Sequence, residues 1–130
     1  MTLSQQQGQL SAFVATWTEV ANATGATATA THTGEAGKSH YITGFACSAQ
    51  GATGADPDEM VFKVEDESGT LIALTFQSVV VNDYAPGTPA IVHALASPLL
   101  ITAGDDVSVS VSGASTYCQA YVNVWGFTDL

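Results

Sequence analysis

Two acidic loops are the first places where side chains of suitable type and spacing could do chemistry. Asp56 and Asp58 lie in a loop rich in Gly and Pro, and Asp105 and Asp106 precede the segment "VSVSVSG". Calcium takes six to eight oxygen ligands, which such loops can provide. However, Pro57 stiffens the first loop, neither loop has EF-hand spacing, and aspartates at strand entries commonly bond to their own backbone. We therefore predict turn chemistry here rather than a metal site, and these four aspartates are the candidate metal ligands.

Catalytic groups do not form a recognisable set. His32, His40 and His93 have neither H-x-H nor H-x-x-x-H spacing, so no two of them would face a metal from one element. There is no G-x-S-x-G nucleophile elbow, and neither cysteine has a basic neighbour that would lower its pKa. The acids lie almost wholly in loops, unlike the facing carboxylates of glycosidases. The sequence therefore predicts a non-enzymatic protein without a cofactor.

Aromatic residues offer a binding surface instead. Tyr117, Tyr121 and Trp125 recur on one face of the closing segment "YCQAYVNVWGF". Such a row could stack on sugar rings, or it could face a second sheet or be covered by a partner subunit, which is the more common use of a large apolar patch. Together with Phe13 and Trp17 of the N-terminal segment, these residues are the predicted partner or oligomer interface.

The charge balance excludes one class of partner. Twelve acidic residues oppose only two lysines, and the formal net charge is −10. Such a chain lacks the Lys and Arg residues that contact nucleic-acid phosphates, and binding to anionic membranes is unfavourable for the same reason. We therefore predict no nucleic-acid and no membrane partner, and the acidity favours solubility, divalent cations or a complementary basic partner.

Targeting signals and cysteines say little more. The start "MTLSQQQGQLSAF" has neither a basic region nor an apolar run, so we expect no secretory signal, and no segment is apolar over a membrane-spanning length. Cys47 and Cys118 could form one disulfide, or they could remain as two buried thiols.

Alternation with a period of two predicts the strands. In "GDDVSVSVSG" three valines alternate with three serines, which indicates a strand with one buried face. "KSHYITGFACSAQ" predicts a strand with Tyr41, Thr43, Phe45 and Cys47 on one face. The turn "ESGT" joins two further strands as a hairpin, and Pro98 should end the strand in "IVHALASPLLI".

These elements predict an all-β fold. With no apolar stripe of helical period and about eight short strands at regular spacing, the chain should form a single antiparallel β-sandwich, with a jelly roll as the expected topology. The first residues are polar and the segment "GATATATHTG" is made of small residues. We therefore divide the chain into an extended N-terminal arm with the first strand at 1–34 and a sandwich domain at 35–130.

The region from about residue 34 to 128 resembles small virion proteins of tailed bacteriophages. Four features carry the resemblance in order: the opening strand "GKSHYIT", the hairpin "VEDESGTLI", the stretch "SPLLITAGDDVSVSVSG" and the closing strand "AYVNVWGFT". Proteins of this kind decorate or cement heads, or belong to fibres, on the outside of the particle. Their function is binding, so the resemblance carries over no catalytic residue.

The resemblance implies a decoration protein on the outer surface of the capsid, made in the host cytoplasm and exposed on the virion. Its partners would be the major capsid protein or another virion protein, and further copies of itself, most simply as a trimer. The N-terminal arm would become ordered on a neighbour. The alternative is a carbohydrate-binding or host-adhesion module that uses the aromatic row to bind glycans.

Overall fold

The structure is a computed structural model, and it describes residues 15–51, 59–80, 91–114 and 118–129. These residues form nine strands: β1 Trp17–Thr24, β2 Ala28–His32, β3 Ser39–Gly51, β4 Glu59–Asp66, β5 Gly69–Gln77, β6 Val79–Val80, β7 Ile91–Leu100, β8 Val107–Ser112 and β9 Cys118–Asp129. The described residues include no helix that is long and apolar enough to span a membrane.

The strands form two packed sheets, as the alternation predicted. Sheet I has the order β1-β9-β3, and both β7 and the short β6 pair with β3 on its far side. Sheet II has the order β2-β8-β4-β5. The all-β sandwich is therefore confirmed.

The pairings are nested along the chain. β1 pairs with β9, β2 with β8, β3 with β7 and β4 with β5, all antiparallel, and these four pairs alternate between sheet I and sheet II. The chain thus behaves as one long hairpin rolled into two layers, which is the strand order of a jelly roll. The parallel pairing of β6 with β3 adds two residues to this pattern.

The core is thin and made largely of small residues. The three valines of β8 are fully buried, and Phe45 stacks on Phe62 across the two sheets with ring centroids 4.5 Å apart. Around this pair the inner faces carry mainly Ala, Val and Cys. The buried hydrophobic residues are Ala28, Ala30, Ile42, Phe45, Cys47, Ala49, Met60, Phe62, Val64, Ile101, Val107, Val109, Val111, Cys118, Ala120, Val122 and Val124.

The domain boundary predicted at residue 34 falls inside the sandwich. β1 pairs with β9 over eight residues, and β2 pairs with β8 over five, so residues 17–32 belong to the two sheets. Ala28 and Ala30 point into the core while Thr29 and Thr31 are exposed. The small side chains suit this position because the inner face of β2 meets a closely packed neighbour. Residues 1–14, which include Phe13, lie outside the described residues.

The predicted face of β3 is wrong in its first half. A β-bulge between Ile42 and Gly44 shifts the register against both β7 and β9. His40 and Ile42 are therefore buried before the bulge, and Phe45 and Cys47 are buried after it. A bulge inserts one extra residue and so reverses the alternation, which simple counting cannot detect.

Pro98 does not end its strand, contrary to the prediction. β7 continues to Leu100, but its pairing with β3 jumps from Ala94 opposite Gly44 to Leu99 opposite Ile42. Residues 95–98 therefore bulge out of the ladder. Because Pro98 lies in this unpaired segment of an edge strand, its missing N–H removes no ladder hydrogen bond.

Candidate functional site

The aromatic row of β9 lies on the outer surface of the sandwich. Cys118, Ala120, Val122 and Val124 form the buried face of β9, and Tyr121 and Trp125 point away from sheet II. The row therefore does not face the second sheet. We call this outer surface of β1, β9 and β3 the β9 face. Tyr117, the third member of the predicted row, lies outside the described residues.

Trp125 is held flat against the sheet by a glycine. A Cβ atom added to Gly44 would lie 2.5 Å from Trp125 Cε2, so only glycine at this position leaves room for the indole. Thr43 Oγ1 also donates a hydrogen bond to the Trp125 carbonyl oxygen at 3.4 Å. Trp125 is consequently half-buried and partly structural, whereas Tyr121 is 37% exposed and available to a partner.

The aromatic surface extends beyond the predicted residues. Tyr41 and Phe127 are opposite each other in β3 and β9, and their rings stack with centroids 4.9 Å apart. The bulge in β3 places Tyr41 on the outer face, and Phe127 lies there by regular alternation from Trp125. Cross-strand aromatic pairs of this kind stabilise a sheet and present a flat apolar surface.

A shallow depression of about 340 Å³ lies beside Tyr121. Its residues come from β1, β3 and β9, and they are Val20, Ala21, Asn22, Ala46, Cys47, Ser48, Tyr121, Val122 and Asn123. Asn123 Oδ1 is buried and has no hydrogen-bond partner. A buried acceptor of this kind is costly, so a donor from water, a ligand or a partner protein would be favoured at this position.

Charge is distributed unequally between the two sheets. β3 and β7 have no Asp, Glu, Lys or Arg, and the acids of β1 and β9 are Glu19, which bonds inward to His32, and Asp129 at the strand end. In contrast, β4 of sheet II alone contains Glu59, Lys63, Glu65 and Asp66. The β9 face is therefore uncharged and partly aromatic, whereas the outer surface of sheet II is polar and charged.

A cluster of Trp17, His32 and His40 joins the two sheets at one end of the sandwich. Trp17 and His32 stack at 4.1 Å with their planes 8° apart, and His40 meets both rings edge-on. Glu19 Oε1 accepts a hydrogen bond from His32 Nδ1 at 2.9 Å. Trp17, a predicted interface residue, is thus packed against its own chain, although its Nε1 is buried without a partner.

The contacts of His40 determine its tautomer. The Thr33 carbonyl can only accept, so His40 Nε2 donates to it at 3.2 Å, and Nδ1 accepts from Thr128 Oγ1 at 2.7 Å. Burial lowers the pKa of His40, and the neighbouring His32 lowers it further. His40 is therefore a neutral structural residue with both nitrogens engaged, which leaves neither nitrogen for a metal or a substrate.

The acidic turns tie loops together. Asp106 Oδ1 accepts from the Gly34 backbone N at 2.6 Å, and Asp105 Oδ2 accepts from the Glu67 N at 3.2 Å. Asp66 accepts bonds from the backbone and hydroxyl of Thr102, and the hydroxyl bond is the main reason that the pKa of Asp66 is lowered. These carboxylates thus brace the turns.

No group of three or more His, Cys, Asp or Glu side chains among the described residues is arranged to hold a metal ion. The other two predicted ligands, Asp56 and Asp58, lie outside the described residues. The structure therefore brings none of the predicted metal ligands together within the part of the chain that it describes.

The two cysteines do not bridge each other. Cys47 is opposite Val122, and Cys118 is opposite Gly51, so the cysteines are offset by four positions along paired strands. That offset corresponds to about 13 Å, which is far beyond disulfide geometry. Burial raises the pKa of the Cys47 thiol to about 11. The inner face of sheet I therefore uses both cysteines as small apolar side chains.

Sequence reasoning missed the histidine cluster and the uncharged face of sheet I. Alternation from Ala28 and Ala30 does point His32 inward, but it does not reveal that Trp17 and His40 contact it.

Comparison with known proteins adds no relative: no protein-family model matches this chain, and no curated protein or solved structure matches it significantly. Its function is therefore inferred from the fold, the β9 face and the distribution of charge.

Proposed function

We propose that this protein is a non-enzymatic structural component of a tailed-bacteriophage particle, a decoration protein that binds the outer surface of the capsid and stabilises it. It would be made in the host cytoplasm and assembled onto the particle as an oligomer. The observation that carries the proposal is the difference between the two outer surfaces of the sandwich. The β9 face is uncharged and aromatic, and the surface of sheet II is charged.

A shell-bound protein needs such a division. The β9 face offers flat apolar area and an unsatisfied acceptor, Asn123 Oδ1, to a protein surface, and these features suit burial at an interface. The charged surface and the acidic turns would face solvent, where a net charge of −10 keeps particles soluble and apart. The resemblance of residues 34–128 to virion proteins supports the same assignment.

Capsid binding can be tested by adding the purified chain to particles of the encoding virus that lack it. We expect the chain to sediment with heads, and we expect Tyr121→Glu to lose most of this binding because it places a carboxylate at the centre of the β9 face. Thr31→Glu, on the exposed outer face of β2, is the matched control and should bind normally. Absence of the protein from purified wild-type particles would refute the proposal.

Glycan binding is the second candidate, favoured by the depression beside Tyr121. Its lining combines an exposed aromatic ring with the polar side chains of Asn22, Ser48 and Asn123, which is the combination that sugar recognition uses. A glycan array probed with the wild-type chain and with Tyr121→Ala tests it. Signals that disappear in the variant would support an adhesion module, and a blank array would exclude this candidate while leaving capsid binding to its own experiment.

A further inference from the structure

Among the described residues, the side of the sandwich formed by β5 and β7 is open. β5 is the last strand of sheet II, and β7 pairs only with β3 among the described strands. An apolar groove of about 210 Å³ lies between the inner faces of these two strands. The groove is lined by Phe45, Ile72, Leu74, Ile91, His93 and Leu95.

The exposed apolar side chains concentrate on these same two strands. Seven large hydrophobic side chains are exposed among the described residues, and five of them belong to β5 or β7: Leu71, Leu74, Ile91, Val92 and Leu100. The opposite side of the sandwich is closed, because β1 and β2 contact each other there. The open side therefore holds most of the exposed large apolar side chains of the described residues, and such patches usually contact protein.

β5 and the first part of β7, residues 91–94, lack the charged residues and prolines that normally prevent strand pairing, whereas Pro98 and the bulge at 95–98 protect only the end of β7. Natural edge strands are protected by charged residues, but no Asp, Glu, Lys or Arg occurs from Gly69 to Val80 or from Ile91 to Gly104. The outer backbone groups of β5 and β7 have no neighbouring strand among the described residues. β5 and the first part of β7 can therefore each accept an additional strand through main-chain hydrogen bonds.

We propose that the β5–β7 side binds a second copy of this chain, and that this contact builds the oligomer. Charge identifies the occupant. Two copies with a net charge of −10 repel each other wherever their carboxylates meet, so they can approach closely only through uncharged surface. A basic partner would instead be attracted to the acidic turns and to β4.

The contact is also self-complementary. Each copy offers the edges of β5 and β7, which have no neighbouring strand among the described residues, together with the exposed side chains of Leu74 and Ile91 at the groove, so the same side provides both halves of a contact between copies. Val92 and Leu100 lie on the outer surface of sheet I, opposite Ala46 and Tyr41 of β3, so the proposed contact borders the β9 face at β3 and leaves its β1 and β9 strands uncovered. Self-association can be measured on the isolated chain, so its outcome is independent of capsid or glycan binding.

The test uses a matched pair of valines. Val92 on β7 is 65% exposed and Val20 on β1 is 67% exposed, and both lie at edges of sheet I. We expect light scattering to give the full chain the native mass of an oligomer, a whole-number multiple of 13.3 kDa that is greater than one. Val92→Glu should weaken association by about tenfold or more, because it places carboxylates in the contact. Val20→Glu should leave the mass unchanged.

Leu74→Glu gives a second reading from the other edge and should also dissociate the oligomer. If this variant fails to fold, as judged by circular dichroism, Val92→Glu still decides the question because its side chain is outside the core. A monomeric wild-type chain would overturn the proposal. An oligomer that dissociates with Val20→Glu but not with Val92→Glu would also overturn it, because the contact would then involve β1 and the β9 face.

Discussion

The tautomer of His40 can be tested with one substitution, Thr128→Val. His40 is 1% exposed, and its Nδ1 accepts a hydrogen bond from Thr128 Oγ1 at 2.7 Å while Nε2 donates to the Thr33 carbonyl. Valine keeps the shape of threonine but cannot donate. The substitution therefore leaves a buried nitrogen lone pair without a partner.

The magnitude follows from two opposing terms. An unsatisfied buried acceptor costs about 1–3 kcal/mol. The added methyl group recovers at most about 0.8 kcal/mol, because Thr128 is only half-buried. We therefore expect Thr128→Val to lower the free energy of unfolding by about 1–2 kcal/mol.

Urea unfolding at neutral pH, followed by tryptophan fluorescence, measures this change. Thr18→Val is the control, because Thr18 is exposed on the outer face of β1 and should change stability by less than about 0.5 kcal/mol. A neutral or stabilising effect of Thr128→Val would refute the assignment of Nδ1 as a buried acceptor.

The same site predicts how stability depends on pH. The folded-state pKa of His40 is lowered by burial and by His32, so below the ordinary histidine pKa of about 6.5 the unfolded chain binds more protons than the folded chain. The contribution of His40 to stability is therefore complete above about pH 7 and is lost as the pH falls toward its folded pKa. An NMR titration of the His40 ring should give a midpoint below that of an unfolded peptide, and a midpoint at or above it would contradict this reasoning.

Three further substitutions or measurements test the packing of sheet I and β8. Gly44→Ala should cost about 1–3 kcal/mol and shift the fluorescence of Trp125, because the new Cβ overlaps the indole; an unchanged spectrum would show that Trp125 does not cover this glycine. Val109→Ala should cost about 2–3 kcal/mol in urea unfolding, and its neighbour Ser110→Ala less than about 0.5, since only the valine is fully buried. In a single-cysteine protein that keeps Cys47, a thiol reagent should react only as fast as the protein unfolds, because the Cys47 side chain is only 2% exposed and burial also raises the pKa of its thiol to about 11.

Local sequence patterns determined most of the strand assignments. In β8, three valines alternate with three serines, and the structure buries the valines completely. The same holds for the closing strand, where Val122 and Val124 are inside and Tyr121 is outside. These predictions succeed because one face of a strand packs in the core and the other faces water, so neighbouring residues alternate between apolar and polar.

The exceptions lie where a neighbour overrides that local pattern. The bulge at Thr43 reverses which residues of β3 point inward, and Pro98 of β7 lies in a segment that does not pair with β3. In both strands the register is set by partners far away in the chain, and nothing in the local composition reports it.

By itself, the sequence determined an all-β sandwich, an acidic surface and an aromatic row on the last strand. Only the tertiary structure decided which residues meet: Trp17 with His32 and His40, and the uncharged edges β5 and β7 on one open side. The physical reason is that burial and alternation are properties of a strand and its immediate surroundings. The composition of a site or an interface depends instead on the order of strands within the sheets, which arises from pairings between distant parts of the chain.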